Sequence, residues 1–491
     1  MSNLAVLPII IPLIAGIILA FFPKRLTLVR TLSKIFIISN LVVASFIAWL
    51  VFNQGSIILE TGDWAAPYGI IIVADQLSIL LVLTTNIVAA ACAFYAPHSL
   101  TDRKEKYYFY TFFFMLISGV SGAFLTGDIF NMFVFFEVLL MASYGLIVLG
   151  GDKVQLRESM KYVFINLFSS MLFVTAVGFL YGAVGTINMA QIAQRVQEVD
   201  QQGILTTVGI LLFFVFAVKA ALFPLYYWMP KSYAVPNPVI SALFGALLTK
   251  VGIYAIIRVF SLIFVHKIEL THEVFIWIAG LSMVFGILGA LSTNNIKLII
   301  AYNIIPAIGF ILMGIGVFNQ DGISGSIYYL IHDMLIKASL FLLAGTIAYA
   351  AGTSDLRKFS GLIHYYPFLG WMLFISGFVL AGIPPFSGFI GKILLLRGAL
   401  AAEEIAIVII ALLSSLLILY SIMKIFIRGF WGEKDESFQP KSIKGRSAPI
   451  VVLLAFSVFL GIGAEFIYPS IESISKYLLN PADYINAVME G

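Results

Sequence analysis

Residues 205–250 read LTTVGILLFFVFAVKAALFPLYYWMPKSYAVPNPVISALFGALLTK. Two apolar runs frame a proline-rich centre, and each run carries a lysine, Lys219 in the first and Lys250 in the second. Pro224, Pro230, Pro236 and Pro238 follow Lys219 closely. Proline removes an amide donor and clashes with the preceding turn, so a helix that reaches Lys219 is expected to break near Pro224. In a bilayer such a break is tolerated only where protein or water satisfies the freed backbone groups. The stretch therefore reads as two membrane-crossing helices that bury charge beside a discontinuity.

The rest of the 491-residue chain agrees with a membrane setting. Its mean hydropathy is +1.03. Hydrophobic residues make up 61% of it and charged residues 11%, against about 25% charged in an ordinary soluble domain. So little charge could not cover that much apolar surface in water. The single cysteine, Cys92, excludes an internal disulfide and a cysteine-based metal site. The first apolar segment lacks a charged leader, and its basic flank Pro23-Lys24-Arg25 follows it, so no cleavable signal peptide is expected.

A spanning helix needs about 20 mostly apolar residues. On that basis the chain is an all-α membrane protein of about fourteen transmembrane helices, at 4–22, 31–53, 72–96, 107–125, 129–150, 157–184, 205–227, 237–262, 272–291, 298–317, 324–350, 366–396, 405–430 and 448–472. Residues 1–491 then form one transmembrane domain, and 473–491 a surface helix or loose tail. Loop charge supports the count. Loops after odd-numbered spans hold Lys24, Arg25, Arg30, Lys34, Arg103, Lys104, Lys106, Lys153, Arg157, Lys161, Lys231, Lys297, Arg357, Lys358, Arg428, Lys434, Lys441, Lys444 and Arg446. The other loops and the tail hold Arg195, Lys267, Arg397 and Lys476. Cytoplasmic loops keep the excess of Lys and Arg, which puts both termini outside the cytoplasm.

Several charges remain in mid-span: Glu137 in span 5, Lys219 in span 7, Lys250 in span 8, and His332, Asp333 and Lys337 in span 11, with Lys392 late in span 12. Arg258 and Lys424 lie nearer helix ends, where snorkelling accounts for them. Isolated in lipid, Glu137, Lys219, Lys250 and Lys337 would together cost roughly 10–14 kcal/mol. They must face the bundle interior, pair, or touch water. Burial disfavours the charged form of a lysine and a nearby carboxylate favours it. A lysine that gains and loses an acidic partner can thus take up and release a proton. Glu137, the mid-span carboxylate of the first half, is the natural partner of Lys219. His332 suits either a proton site or a neutral core histidine. Asp333 and Lys337 are four apart and can form a local pair on one helix face.

Span 12 repeats the pattern of a charge beside a breaker. It contains LAGIPPFSGFIGK, with Pro384 and Pro385 ahead of Lys392. As one straight helix it would be about 46 Å long, longer than a ~30 Å hydrocarbon core, so a discontinuous helix fits. A plain kink at the prolines, or a snorkelling Lys392 at a helix end, would also satisfy the sequence. Two interrupted segments at matching places point to transport sites between structural repeats. Span 7 is the fourth of spans 4–8 (107–262) and span 12 the fourth of spans 9–13 (272–430). Five spans is an odd number, so the two units would be inverted.

The chain resembles the antiporter-like family shared by Mrp-type cation/proton antiporters and proton-pumping respiratory complex I. The resemblance covers nearly the whole chain. It is carried by FFEVLLMASY (135–144), KAALFPLYYWMPKSYAVPNPVISALFGALLTK (219–250), HDMLIKASLFLLAG (332–345) and GIPPFSGFIGK (382–392). It implies a central hydrophilic axis of Glu137, Lys219, Lys250, His332 with Lys337, and Lys392. It also implies two inverted five-helix repeats with helices 7 and 12 broken, at Pro224 and at Pro384 and Pro385. The chain's length is similar to that of the shorter Mrp-type members, without the extra C-terminal spans of the longest.

The expected function is a subunit of a Na⁺/H⁺ antiporter in a prokaryotic cell membrane. Its partners would be other subunits of a hetero-oligomeric complex, including a longer homologous one, with protons and Na⁺ as cargo and lipid around it. A proton-pumping subunit of a complex I-like oxidoreductase or membrane hydrogenase is the alternative. The chain has no CxxC, no cluster of metal ligands and no glycine-rich nucleotide loop after a strand, so no cofactor or metal is expected in it. Nothing points to nucleic acid. A non-transporting scaffold would let the mid-span charges be neutralised without effect on transport.

Overall fold

The computed structural model describes residues 2–198, 202–265, 268–434, 436 and 438–489. Lys267, one of the loop cations, lies outside the described residues. Each apolar segment read from the sequence falls on a helix or a broken helix. Eleven described helices are long and apolar enough to cross a membrane, or twelve if a pair bent by 80° at Gly463 is one span. Phe109–Leu125 and Pro367–Ala381 are apolar but shorter. The spanning count by length and composition is therefore below the expected fourteen.

Three boundaries differ from expectation. Residues 72–74 belong to a strand, Ile71–Ala74, which pairs antiparallel with Ile57–Glu60 before the helix Gln76–Ser99 begins. The last span ends at Ile462, and Ala464–Leu479 turns away from it. The expected surface helix thus starts earlier than 473. Span 10 is broken at Asn303 into Ile296–Tyr302 and Ile304–Val317. Pro306 explains that break, because it cannot donate to the carbonyl of Tyr302.

Local chemistry sets the helix ends. Asp75 caps Gln76–Ser99 in a reciprocal box with Ser78. Asp128, Asn188, Asn237, Asn295 and Asn319 accept from the first amides of their helices. Gly352, at φ 75°, ends Gln320–Ala351, where a side chain would be strained. Two isolated bridges, Asp128 with Asn188 and Asn295 with Asp355, tie loops at the same sequence separation in each half of the chain.

The central helices are buried and the flanking ones face outward. The apolar centre of Pro238–Leu262 is buried throughout, while fewer than half of the residues in the apolar centres of Leu26–Gln54, Lys153–Val184 and Ile405–Phe430 are buried. Gly252 lets Pro238–Leu262 approach span 7, since a Cβ there would lie 2.6 Å from the amide nitrogen of Ala220.

Arg258 does not snorkel. It is buried, 2.5 Å from Asp75 at the start of another span, and its guanidinium lies over Tyr254 and Tyr484. Lys424 is also buried and donates to the carbonyls of Leu291 and Thr293 at the end of a neighbouring helix. Removing one partner of a buried ion pair costs about 3–5 kcal/mol, because the other charge is left uncompensated. Arg258→Ala is therefore expected to lower the unfolding midpoint of the purified protein sharply. The double change Arg258→Met with Asp75→Asn should recover more than half of that loss.

Candidate functional site

Lys219 stands in the last turn of Gln202–Ala220. The helix stops there because Ala221 takes φ 59° ahead of Pro224, and the freed amide of Phe223 donates to Ser282 Oγ at 3.0 Å. The ammonium of Lys219 is buried. It donates to Ser170 Oγ at 3.2 Å and sits 5.3 Å above the Phe136 ring. Glu137, the next residue after Phe136, acts on Lys219 electrostatically without touching it. Glu137 Oε1 is buried without a hydrogen-bond partner. The expected Glu137–Lys219 pair is thus separated in this conformation.

Lys250 follows a π-turn at Phe244–Leu248. That wider turn releases the Gly245 carbonyl, and Lys250 Nζ donates to it at 2.8 Å. The same nitrogen lies 2.6 Å from Asp333 Oδ2. Asp333 Oδ1 is 3.4 Å from Lys337 Nζ, and all three residues are fully buried. The approaches to Asp333 are off the hydrogen-bond direction, so these contacts are ion pairs by distance. Lys337 in turn donates to the Asn303 carbonyl at 2.9 Å, at the break in span 10.

Lys392 lies beyond the break in span 12, which separates Pro367–Ala381 from Ser387–Ala401. Its ammonium turns back to donate to the carbonyls of Leu380 at 3.3 Å and Ala381 at 2.8 Å. These are the orphan acceptors at the negative end of a half-helix. It is buried over Phe310 and Tyr329, which excludes the snorkelling reading. His332 Nδ1 lies 2.8 Å from Ser387 Oγ at the start of the second half-helix. His332 Nε2 and Tyr329 Oη are buried without partners. The peptides Phe223-Pro224 and Pro384-Pro385, one in each break, are cis.

One construction recurs at three of the four lysines. Lys250, Lys337 and Lys392 each place the ammonium on a carbonyl at or beside a helix irregularity. An ammonium needs acceptors when it leaves water, and along a regular helix each carbonyl is already engaged by an amide. The prolines and the π-turn thus supply the solvation that makes buried lysine affordable. The six expected residues fall into three groups: Glu137 with Lys219, Lys250 with Lys337, and His332 with Lys392. Among the described residues no hydrogen bond or ion pair joins one group to the next.

Asp333 is the addition. It bridges a lysine of the first half, Lys250, to one of the second, Lys337. The sequence pointed to Lys337 by spacing within one helix, but the shorter contact comes from span 8. Among the described residues no group of three or more His, Cys, Asp or Glu could hold a metal ion.

Residues 126–418 match the family described as NADH:quinone oxidoreductase/Mrp antiporter, TM. The chain is 50% identical, over all of both chains, to a protein of Bacillus subtilis named as the D subunit of a Na⁺/H⁺ antiporter. It is 47% identical, again over the full length of both, to the protein of that name from Alkalihalophilus pseudofirmus. Among solved structures, a chain of the Mrp complex from Dietzia sp. superposes with a TM-score of 0.92 at 29% identity, covering 99% of each chain. A chain of the archaeal membrane-bound sulfane sulfur reductase superposes at 0.94 with 25% identity, covering 99% of this chain and 100% of that one.

Proposed function

We propose, from the premise that this chain belongs to the NADH:quinone oxidoreductase/Mrp antiporter membrane family, that it is the D-type member of a multisubunit Na⁺/H⁺ antiporter. It is a multi-pass transporter subunit rather than an enzyme. The full-length relatives at 47% and 50% identity carry the antiporter name, and the archaeal redox complex matches at 25%. That difference favours the antiporter over the redox pump.

Within that role the chain passes protons along Glu137, Lys219, Lys250, Lys337 and Lys392, with His332 beside the last two. The observation that carries this reading is the excess of buried ammonium over paired carboxylate. Four lysine nitrogens are buried, and Asp333 is the carboxylate that two of them share. Protonation of any one lysine then depends on its neighbours, which a relay requires. Water in the gaps between the three groups would complete the path. Spans 4–8 and 9–13 are inverted repeats in this reading, and the matching bridges at 128/188 and 295/355 support it. A longer homologous subunit stands beside this one. The membrane is the cell membrane, the basic loops are cytoplasmic, and both termini lie outside.

The test uses the assembled complex in proteoliposomes carrying a proton gradient. A Na⁺ pulse is expected to dissipate the gradient with no electron donor present. A proton flux that appears only with an electron donor would move the chain to the redox-pump reading.

A further inference from the structure

The basic face of the bundle carries a groove of about 490 Å³ that the transport reading does not use. Its floor is the helix Gln76–Ser99, where Ala90 and Ala91 keep it deep. One wall is Leu26–Gln54, through Ile38 and Leu41. The other is Ser447–Ile462, through Val452 and Phe456. Ile38, Val452 and Phe456 are exposed large apolar side chains. From Lys34 to Leu41 the groove descends about 10 Å at the helical rise, within one ~15 Å leaflet.

Its mouth is cationic. Lys34 Nζ sits 5.2 Å over the Phe94 ring at one side. His98 closes the other side, its ring packed where Gly445, at φ 83°, leaves no Cβ in the way. Arg446 follows, buried and stacked 3.7 Å over Tyr349. Arg30, Lys34 and Arg446 all act electrostatically on His98, so the four share one corner. The acidic residues of that corner, Asp102 and Glu105, are engaged by Arg30. Among the described ion pairs none takes Lys34, His98 or Arg446. Lys34 and Arg446 thus stand as uncompensated positive charge over an apolar slot open to the hydrocarbon, with the His98 ring beside them as a hydrogen-bond donor.

We propose that this groove binds an anionic phospholipid, one acyl chain in the slot and its phosphate at Lys34 and His98. Arg446 adds positive charge behind them. The length, the apolar walls and the charge at one end match an amphiphile lying along the membrane normal. A neighbouring subunit's helix would need no cationic mouth.

The test takes the delipidated complex in detergent and titrates it with phosphatidylglycerol or with phosphatidylcholine of the same chains. Bound lipid is counted by native mass spectrometry. Wild type is expected to retain one more phosphatidylglycerol than the double variant Lys34→Gln, His98→Gln, with a preference over phosphatidylcholine of the order of tenfold. Val452→Trp, which fills the slot from its wall, should lose that lipid while keeping both mouth residues. It also serves if the double variant fails to assemble. An unchanged count in both variants would overturn the proposal. So would a photoreactive side chain at position 94 that crosslinks to a partner subunit and not to lipid.

Discussion

Asparagine at position 333 is expected to stop Na⁺-driven proton exchange while leaving the complex assembled. Asp333 is the carboxylate shared by Lys250 and Lys337, at 2.6 and 3.4 Å. Breaking a buried pair by removing one partner usually costs about 3–5 kcal/mol. Here both ammonium groups keep a carbonyl seat, at Gly245 and Asn303, so a large part of that structural cost is offset. The transport cost is not. Without the carboxylate, nothing in the cluster changes partner when a proton arrives. A barrier raised by ~3 kcal/mol slows exchange roughly 100-fold. Gradient dissipation in vesicles, alongside subunit recovery, measures both effects. Exchange within twofold of wild type, in complex recovered at the normal yield, would show Asp333 to be a brace.

Glu137→Gln separates relay from brace in a different way. Glu137 makes no ion pair among the described residues, and one of its oxygens is buried without a partner. Replacing it by its amide breaks no contact, so the unfolding midpoint should hold. Transport should fall by roughly 10²–10⁴, the usual scale for loss of a positioned acid or base, and Glu137→Asp should restore part of it. A packing role predicts the opposite pattern, with stability lost and exchange kept. The distance between Glu137 and Lys219 in this conformation is consistent with a partner that is gained and released during the cycle.

Much of this was legible in the sequence because the bilayer imposes so simple a rule. Apolar segments about 20 residues long become helices, and the mid-span charges at 137, 219, 250, 332, 337 and 392 stand out against them. The breaks at Pro224 and Pro384 were legible for the same reason, since proline acts through its own backbone. What escaped was non-local. Arg258 looked like a snorkelling end residue because its partner, Asp75, caps a helix far earlier in the chain. Asp333 looked like the partner of Lys337, since a four-residue spacing is visible in one helix and a contact from span 8 is not. The π-turn at 244–248 has no residue signature. The break at Asn303 did have one, in Pro306. The hairpin 57–74 was hidden because Ile71–Ala74 is apolar and runs straight into an apolar helix.

The most direct measurement is proton movement through the assembled complex with Lys219 replaced by alanine. Proteoliposomes holding that variant should keep an imposed pH gradient when Na⁺ is added, where wild-type vesicles lose theirs within the same interval. Full Na⁺-coupled proton flux through a properly assembled Lys219→Ala complex would contradict the axis, because protons would then cross without one of the buried groups that carries them.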